Sequence, residues 1–135
     1  LLGRDKEAVL SELVHVVADG GGQYDDILRA VRAREAVLST GIGYGVAIPH
    51  GKSPTLPDLR LAAGVAAQPI GFESLDGQPV SLLFLLVGPE SASGAHVKAL
   101  SRISRLVRRE PFRQSLLGSR DPDEFYRFLC DAERF

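Results

Sequence analysis

Apolar residues recur at helical spacing in the first part of the chain. Val9, Leu10, Leu13, Val14 and Val17 share one face of a segment from Asp5 to Asp19, which predicts an amphipathic helix stopped by Gly20-Gly21-Gly22. Ile27, Leu28 and Val31 mark a second helix from Asp25 to about Arg34. The texture then changes. Ser39-Thr40-Gly41-Ile42-Gly43-Tyr44-Gly45 is too rich in glycine for a helix interior. It leads into Val46-Ala47-Ile48, a short strand, and then into Pro49-His50-Gly51. Leu59 to Ala67 alternates and predicts a strand, with Leu61, Ala63, Val65 and Ala67 on one face. Ser81 to Val87 is a continuous apolar run between turn residues. That pattern predicts a strand buried on both faces, at the centre of a sheet covered by helices.

A long helix is expected from about Ala95 to Arg109. Val97, Leu100, Ile103 and Val107 line one of its faces, Lys98, Arg102, Arg105 and Arg109 another, and Pro111 ends it. Asp121-Pro122-Asp123-Glu124 reads as a helix start, with Asp121 at the N-cap, Pro122 at the first helical position and Glu124 where a capping box places its carboxylate. Phe125, Phe128, Leu129 and Ala132 form the apolar stripe that follows. Helices and strands are interleaved, with no internal repeat and no long linker. The expected architecture is one layered α/β (α+β) domain spanning residues 1–135.

Composition narrows the function classes. The formal net charge of −1 argues against a general nucleic-acid binder. Cys130 is the only cysteine, so no internal disulfide can form, which fits a reducing compartment. The longest apolar run, Leu82 to Val87, is far short of the ~20 residues that span a membrane, so no direct membrane insertion is expected. The first residues lack the pattern of a signal peptide.

Candidate chemistry centres on the histidines. His15 falls inside the first helix and reads as a partly exposed helix residue. His50 follows a glycine-rich turn, a short strand and Pro49, and precedes Gly51. Pro49 restricts the backbone, while Gly51 permits a sharp turn or a close approach. This context suits a nucleophile that meets a bulky partner, and equally a loop histidine that caps a turn. His96 opens the long helix after the Gly/Ser loop that follows the central strand. Unpaired N–H groups there favour an anion. The two histidines share a site if the strands ending at Ile48 and Val87 are neighbours. No His/Cys cluster has metal-ligand spacing, so neither a metal nor an organic cofactor is expected.

The stretch Arg34-Glu35-Ala36-Val37-Leu38-Ser39-Thr40-Gly41-Ile42-Gly43-Tyr44-Gly45-Val46-Ala47-Ile48-Pro49-His50-Gly51-Lys52 resembles the active-site signature of bacterial phosphotransferase-system enzyme IIA domains. The type is the fructose/mannitol one, which includes the nitrogen-regulatory enzyme IIA proteins. The likeness continues through Gly71-Phe72, Asp76-Gly77-Gln78-Pro79-Val80, the apolar run and His96-Val97-Lys98-Ala99-Leu100-Ser101, covering nearly the whole chain. The resemblance implies a mixed β-sheet sandwiched between helices, in the cytoplasm. It implies a phosphotransferase in which His50 carries the phosphoryl group, His96 assists and Arg34 supplies electrostatic support. Gly43, Tyr44, Gly45, Pro49 and Gly51 would form the loop around the site. Tyr44 stands where family members often carry Asn, which bears on the partner more than on the chemistry.

The implied donor is phospho-HPr. The implied acceptor is an enzyme IIB domain in sugar transport, or a regulatory target protein whose affinity changes on phosphorylation. No stump of a fused domain is visible, so the expectation leans to the regulatory type. A homodimer is compatible with the sequence, and a degenerate docking domain that no longer takes phosphate is the weaker alternative. Neutral imidazole, with an ordinary pKa of about 6.5, is the nucleophile expected near neutral pH. The basic stripe Lys98, Arg102, Arg105 and Arg109 reads as a solvated helix face, or as a docking patch for an acidic partner.

Overall fold

The computed structural model describes residues 1–18 and 21–133. In chain order the elements are α1 (Lys6–Val17), α2 (Gly21–Val37), β1 (Gly41–Gly43), β2 (Val46–Ala47), β3 (His50–Lys52), β4 (Arg60–Ile70), β5 (Val80–Gly88), a short 3-10 helix (Glu90–Ala92), α3 (Ser93–Leu106), α4 (Glu110–Leu117) and α5 (Pro122–Glu133). The expected mixed sheet between helices is the observed architecture.

β5 is the axis. It pairs in parallel with β2 and β3 and antiparallel with β4, and β1 pairs antiparallel with β2. Val46 lies opposite Leu82 and His50 opposite Leu86, so β2 and β3 keep one register along a single edge of β5. They are one strand interrupted at Ile48-Pro49. Proline has no N–H for the ladder, and the Ile48 N–H, on the side of β1, donates to the Thr40 carbonyl (3.1 Å).

The apolar run of β5 is buried on both faces, as its composition predicts. Leu83, Leu85 and Val87 face a core built with Val9, Leu10, Leu13, Val14 and Val17 of α1 and Ile27, Leu28 and Val31 of α2. Leu82 and Phe84 face a second core with Ile103, Leu106 and Val107, then Phe112, Leu116 and Phe125. Each fully buried large side chain contributes about 1.5–3 kcal/mol relative to its exposed state. β5 is therefore the element on which both helical layers depend.

Several expectations need correction. α1 ends at Val17, with Asp19 and Gly20 outside the described residues, and α2 begins at Gly21 and continues to Val37. Within the expected stretch Leu59 to Ala67 the buried residues are Ala62 and Ala66, not the expected Leu61 face, and Ile70 at the end of β4 is buried as well. Leu61 is 39% exposed, while Ala63 and Val65 are only partly covered by the second core. Both faces of β4 are apolar, so alternation did not decide which one α1 covers. α3 starts at Ser93 and buries His96, whereas Val97 is 64% exposed. α3 stops at Leu106, not at Arg109, so Pro111 does not end it: Arg109 is the N-cap of α4 and Pro111 sits in the first turn of that helix, where a missing N–H costs nothing. In α5, Asp121 accepts from the Glu124 N–H as expected (2.8 Å), but the Glu124 carboxylate accepts from the Arg120 N–H instead of reaching back to the cap (3.1 Å). Phe125 is buried, Phe128 and Leu129 are partly covered, and the Ala132 side chain lies outside the described part.

Candidate phosphoryl-acceptor site

The backbone aims the His50 ring. Even-numbered positions from Val46 to Lys52 share the face of the sheet covered by α3 and α4, because Val46 and Ile48 pack with Leu82 and Phe84. Gly51 points the other way, against α2. A Cβ built there would stand 3.1 Å from Val31 N and 3.2 Å from the Ala30 carbonyl carbon. That close approach brings the last turns of α2, and with them Arg34, alongside His50.

Arg34 Nε donates to His50 Nε2 at 3.2 Å, and Arg34 Nη1 donates to the Leu38 carbonyl at 2.8 Å. An arginine N–H only donates, so Nε2 holds the lone pair and Nδ1 holds the proton. Nδ1–H donates in turn to the Ile48 carbonyl at 2.9 Å. The carbonyl just before Pro49 therefore fixes the tautomer. No side-chain pattern pointed to it.

His96 completes the cluster from the first turn of α3. Its ring meets that of His50 edge to face, with centroids 5.6 Å apart and planes at 65°. The residue is only 4% exposed, and its Nδ1 has no hydrogen-bond partner among the described residues. Burial holds its pKa below the usual histidine value; His50 and Lys52 add to this, against a smaller opposing effect of Glu90. His96 thus stays neutral at neutral pH, able to offer an N–H.

Arg34 is anchored through its neighbour Glu35. This buried carboxylate accepts from the Thr40 N–H (2.9 Å) and hydroxyl (2.6 Å) and pairs with Lys6 (2.9 Å). The clamp ties α2 to the chain entering β1. Glu35 beside Arg34 in the sequence was its only visible signal.

The structure brings Arg34, His50 and His96 together, and Pro49 and Gly51 flank them. It does not bring the Gly43-Tyr44-Gly45 turn to them. Val46 lies four residues before His50 along the same edge of β5, about 13 Å at ~3.3 Å per residue, and the turn lies beyond Val46. All three turn residues have positive φ (96°, 61° and 74°), which glycine takes without strain and which costs Tyr44 a left-handed conformation. The Tyr44 ring lies under Arg113 of α4, 4.8 Å from its guanidinium carbon. Lys98, Arg102, Arg105 and Arg109 are exposed. Among the described residues no group of three or more His, Cys, Asp or Glu is placed to hold a metal ion, and no helix is long and apolar enough to cross a membrane.

The chain is similar to several known proteins. A nitrogen regulatory protein of Bradyrhizobium diazoefficiens is 43% identical over 126 residues, covering 93% of this chain and 82% of that protein. The fructose-specific EIIABC component of the Bacillus subtilis PTS system is 40% identical over 123 residues, 89% of this chain but only 19% of that longer protein. The crystal structure of the nitrogen regulatory protein IIA-Ntr from Neisseria meningitidis superposes with a TM-score of 0.89 at 32% identity, covering 96% of this chain and 89% of that one. The family described as "Phosphoenolpyruvate-dependent sugar phosphotransferase system, EIIA 2" matches residues 2–132, and the chain belongs to it.

Proposed function

We propose that the protein is a phosphoryl carrier that accepts a phosphoryl group from phospho-HPr on Nε2 of His50. The observation that carries this reading is the His50 hydrogen-bond pair. Nδ1–H is held by the Ile48 carbonyl, and the Nε2 lone pair faces the guanidinium of Arg34. In the transfer, Arg34 leaves the lone pair for the oxygens of the incoming group. The lone pair forms the new P–N bond, the bond to the donor breaks, and its electron pair stays with the donor. Arg34 and an N–H of His96 stabilise the charge on the oxygens, which is the main catalytic contribution in phosphoryl transfer. The Nδ1 proton, shared with the Ile48 carbonyl, supports the positive charge that develops on the ring. Neither metal nor organic cofactor enters this scheme.

Two outlets for the group have support. The fructose-specific relative carries A, B and C components in one chain, which favours an enzyme IIB acceptor. The nitrogen regulatory relatives favour a regulatory use, in which the added charge of about −1.5 to −2 changes affinity for a target protein. The higher identity and the close superposition lie on the regulatory side, and we adopt that outlet.

The test is phosphorylation by phosphoenolpyruvate, enzyme I and HPr, read by intact mass. The expected result is an acid-labile gain of one phosphoryl group that disappears in His50→Ala. No gain in the wild type, with HPr shown to be charged, would falsify the carrier reading.

A further inference from the structure

Lys52 lies two residues beyond His50 on β3, so both side chains project from the same face, their Cα atoms about 7 Å apart. Its ammonium donates to Ser93 Oγ at 3.0 Å and sits 3.6 Å from the Glu90 carboxylate. Ser93 opens α3 three residues before His96, and its own hydroxyl donates to the Glu90 carbonyl at 2.6 Å. Lys52 is also close enough to His96 to act on its charge. The cluster therefore holds two cations beside the histidines, Arg34 from α2 and Lys52 from β3. Only one of them touches Nε2.

The resting place of Lys52 is weak. Glu90 is 82% exposed, and an exposed pair at this distance contributes little. A phosphoryl group with about twice the charge of one carboxylate outcompetes it. The flexible four-carbon stem of lysine allows the ammonium to swing between the two.

We propose that Lys52 is a second cationic ligand of the phosphoryl group, resting on Ser93 and Glu90 while His50 is free and moving to a phosphoryl oxygen once Nε2 carries the group. This assignment rests on the carrier reading above. It gives the site two charges that follow the phosphoryl group in, with Glu90 as the competitor that takes Lys52 back when the group leaves.

The test uses phosphoramidate, a donor too small to need a docking surface. The Nε2 lone pair forms a P–N bond, the donor P–N bond breaks, and ammonia leaves after taking a proton from water. The rate is read by intact mass, and the last ionisation of the bound phosphoryl group by ³¹P NMR. Lys52→Met is expected to slow phosphorylation about tenfold and to raise that ionisation by about half a pH unit, while Lys52→Arg restores most of both. Glu90→Gln, at an exposed position that does not threaten folding, is expected to speed phosphorylation about twofold. A wild type charged on His50 while Lys52→Met matches it in rate and ionisation overturns the Lys52 assignment and leaves the carrier reading intact. Unchanged behaviour of Glu90→Gln in both measurements overturns the resting place. A wild type charged neither by phosphoramidate nor by phospho-HPr overturns the carrier reading, and Lys52 with it.

Discussion

Adding one methyl group at Gly51 tests how the fold positions its site. The new Cβ meets Val31 N at 3.1 Å, the Ala30 carbonyl carbon at 3.2 Å and Val31 Cγ2 at 3.3 Å. Two of these atoms belong to the α2 backbone, which cannot rotate aside, so the helix must move by a few tenths of an ångström. Such overpacking costs about 1–3 kcal/mol. The alanine recovers about 0.4–1 kcal/mol by restricting the unfolded chain. The net loss is about 1–2 kcal/mol, or roughly 4–8 °C of melting temperature for a domain of this size. The same displacement lengthens the 3.2 Å contact between Arg34 and His50, because Arg34 lies one turn along the shifted helix. Thermal melting by circular dichroism measures the first effect, and the phosphorylation rate the second. Gly94→Ala serves as the contrast. Its Cβ would meet nothing within 4 Å, and its place in α3 should make it stabilising by about 0.5–1 kcal/mol. Gly51→Ala melting with the wild type and accepting phosphate at the wild-type rate would refute the claim that this close approach sets the site.

Three further outcomes follow from the same geometry. Arg34→Met should lower the phosphorylation rate by about 10²–10³ while costing about 1 kcal/mol in a denaturant melt, because its donors serve His50 and one exposed carbonyl; a rate within threefold of wild type would contradict its role. Glu35→Ala should destabilise the chain by about 3 kcal/mol in urea, since it leaves the Thr40 donors and Lys6 without their acceptor, and a loss under 1 kcal/mol would show the clamp to be idle. For His96 the folded pKa lies below the unfolded value of about 6.5, so the unfolded chain binds more protons between the two values. The stability this residue contributes is complete above about pH 6.5 and is lost as the pH falls toward the folded value. Melting temperatures of wild type and His96→Gln measured from pH 7.5 to 5 should therefore converge as the pH falls, and a constant difference would contradict this.

Local patterns in the chain were enough for the elements whose burial is set by their own periodicity. The stripe from Val9 to Val17 and the run from Leu82 to Val87 each have one packing solution, so α1 and β5 were legible before any contact was known. The context of His50 and its family signature were legible for the same reason, being contiguous. What the tertiary structure decided is pairing. Arg34 and His50 meet across sixteen positions because Gly51 lets α2 lie on β3. His96 turns inward in place of Val97 because the β3–β5 register puts His50 opposite Leu86, beneath the start of α3. Tyr44, six residues from His50 in the chain, lies away from it because an extended strand separates them. Periodicity tells a residue which way to face. Only the register of the sheet tells it what it will face.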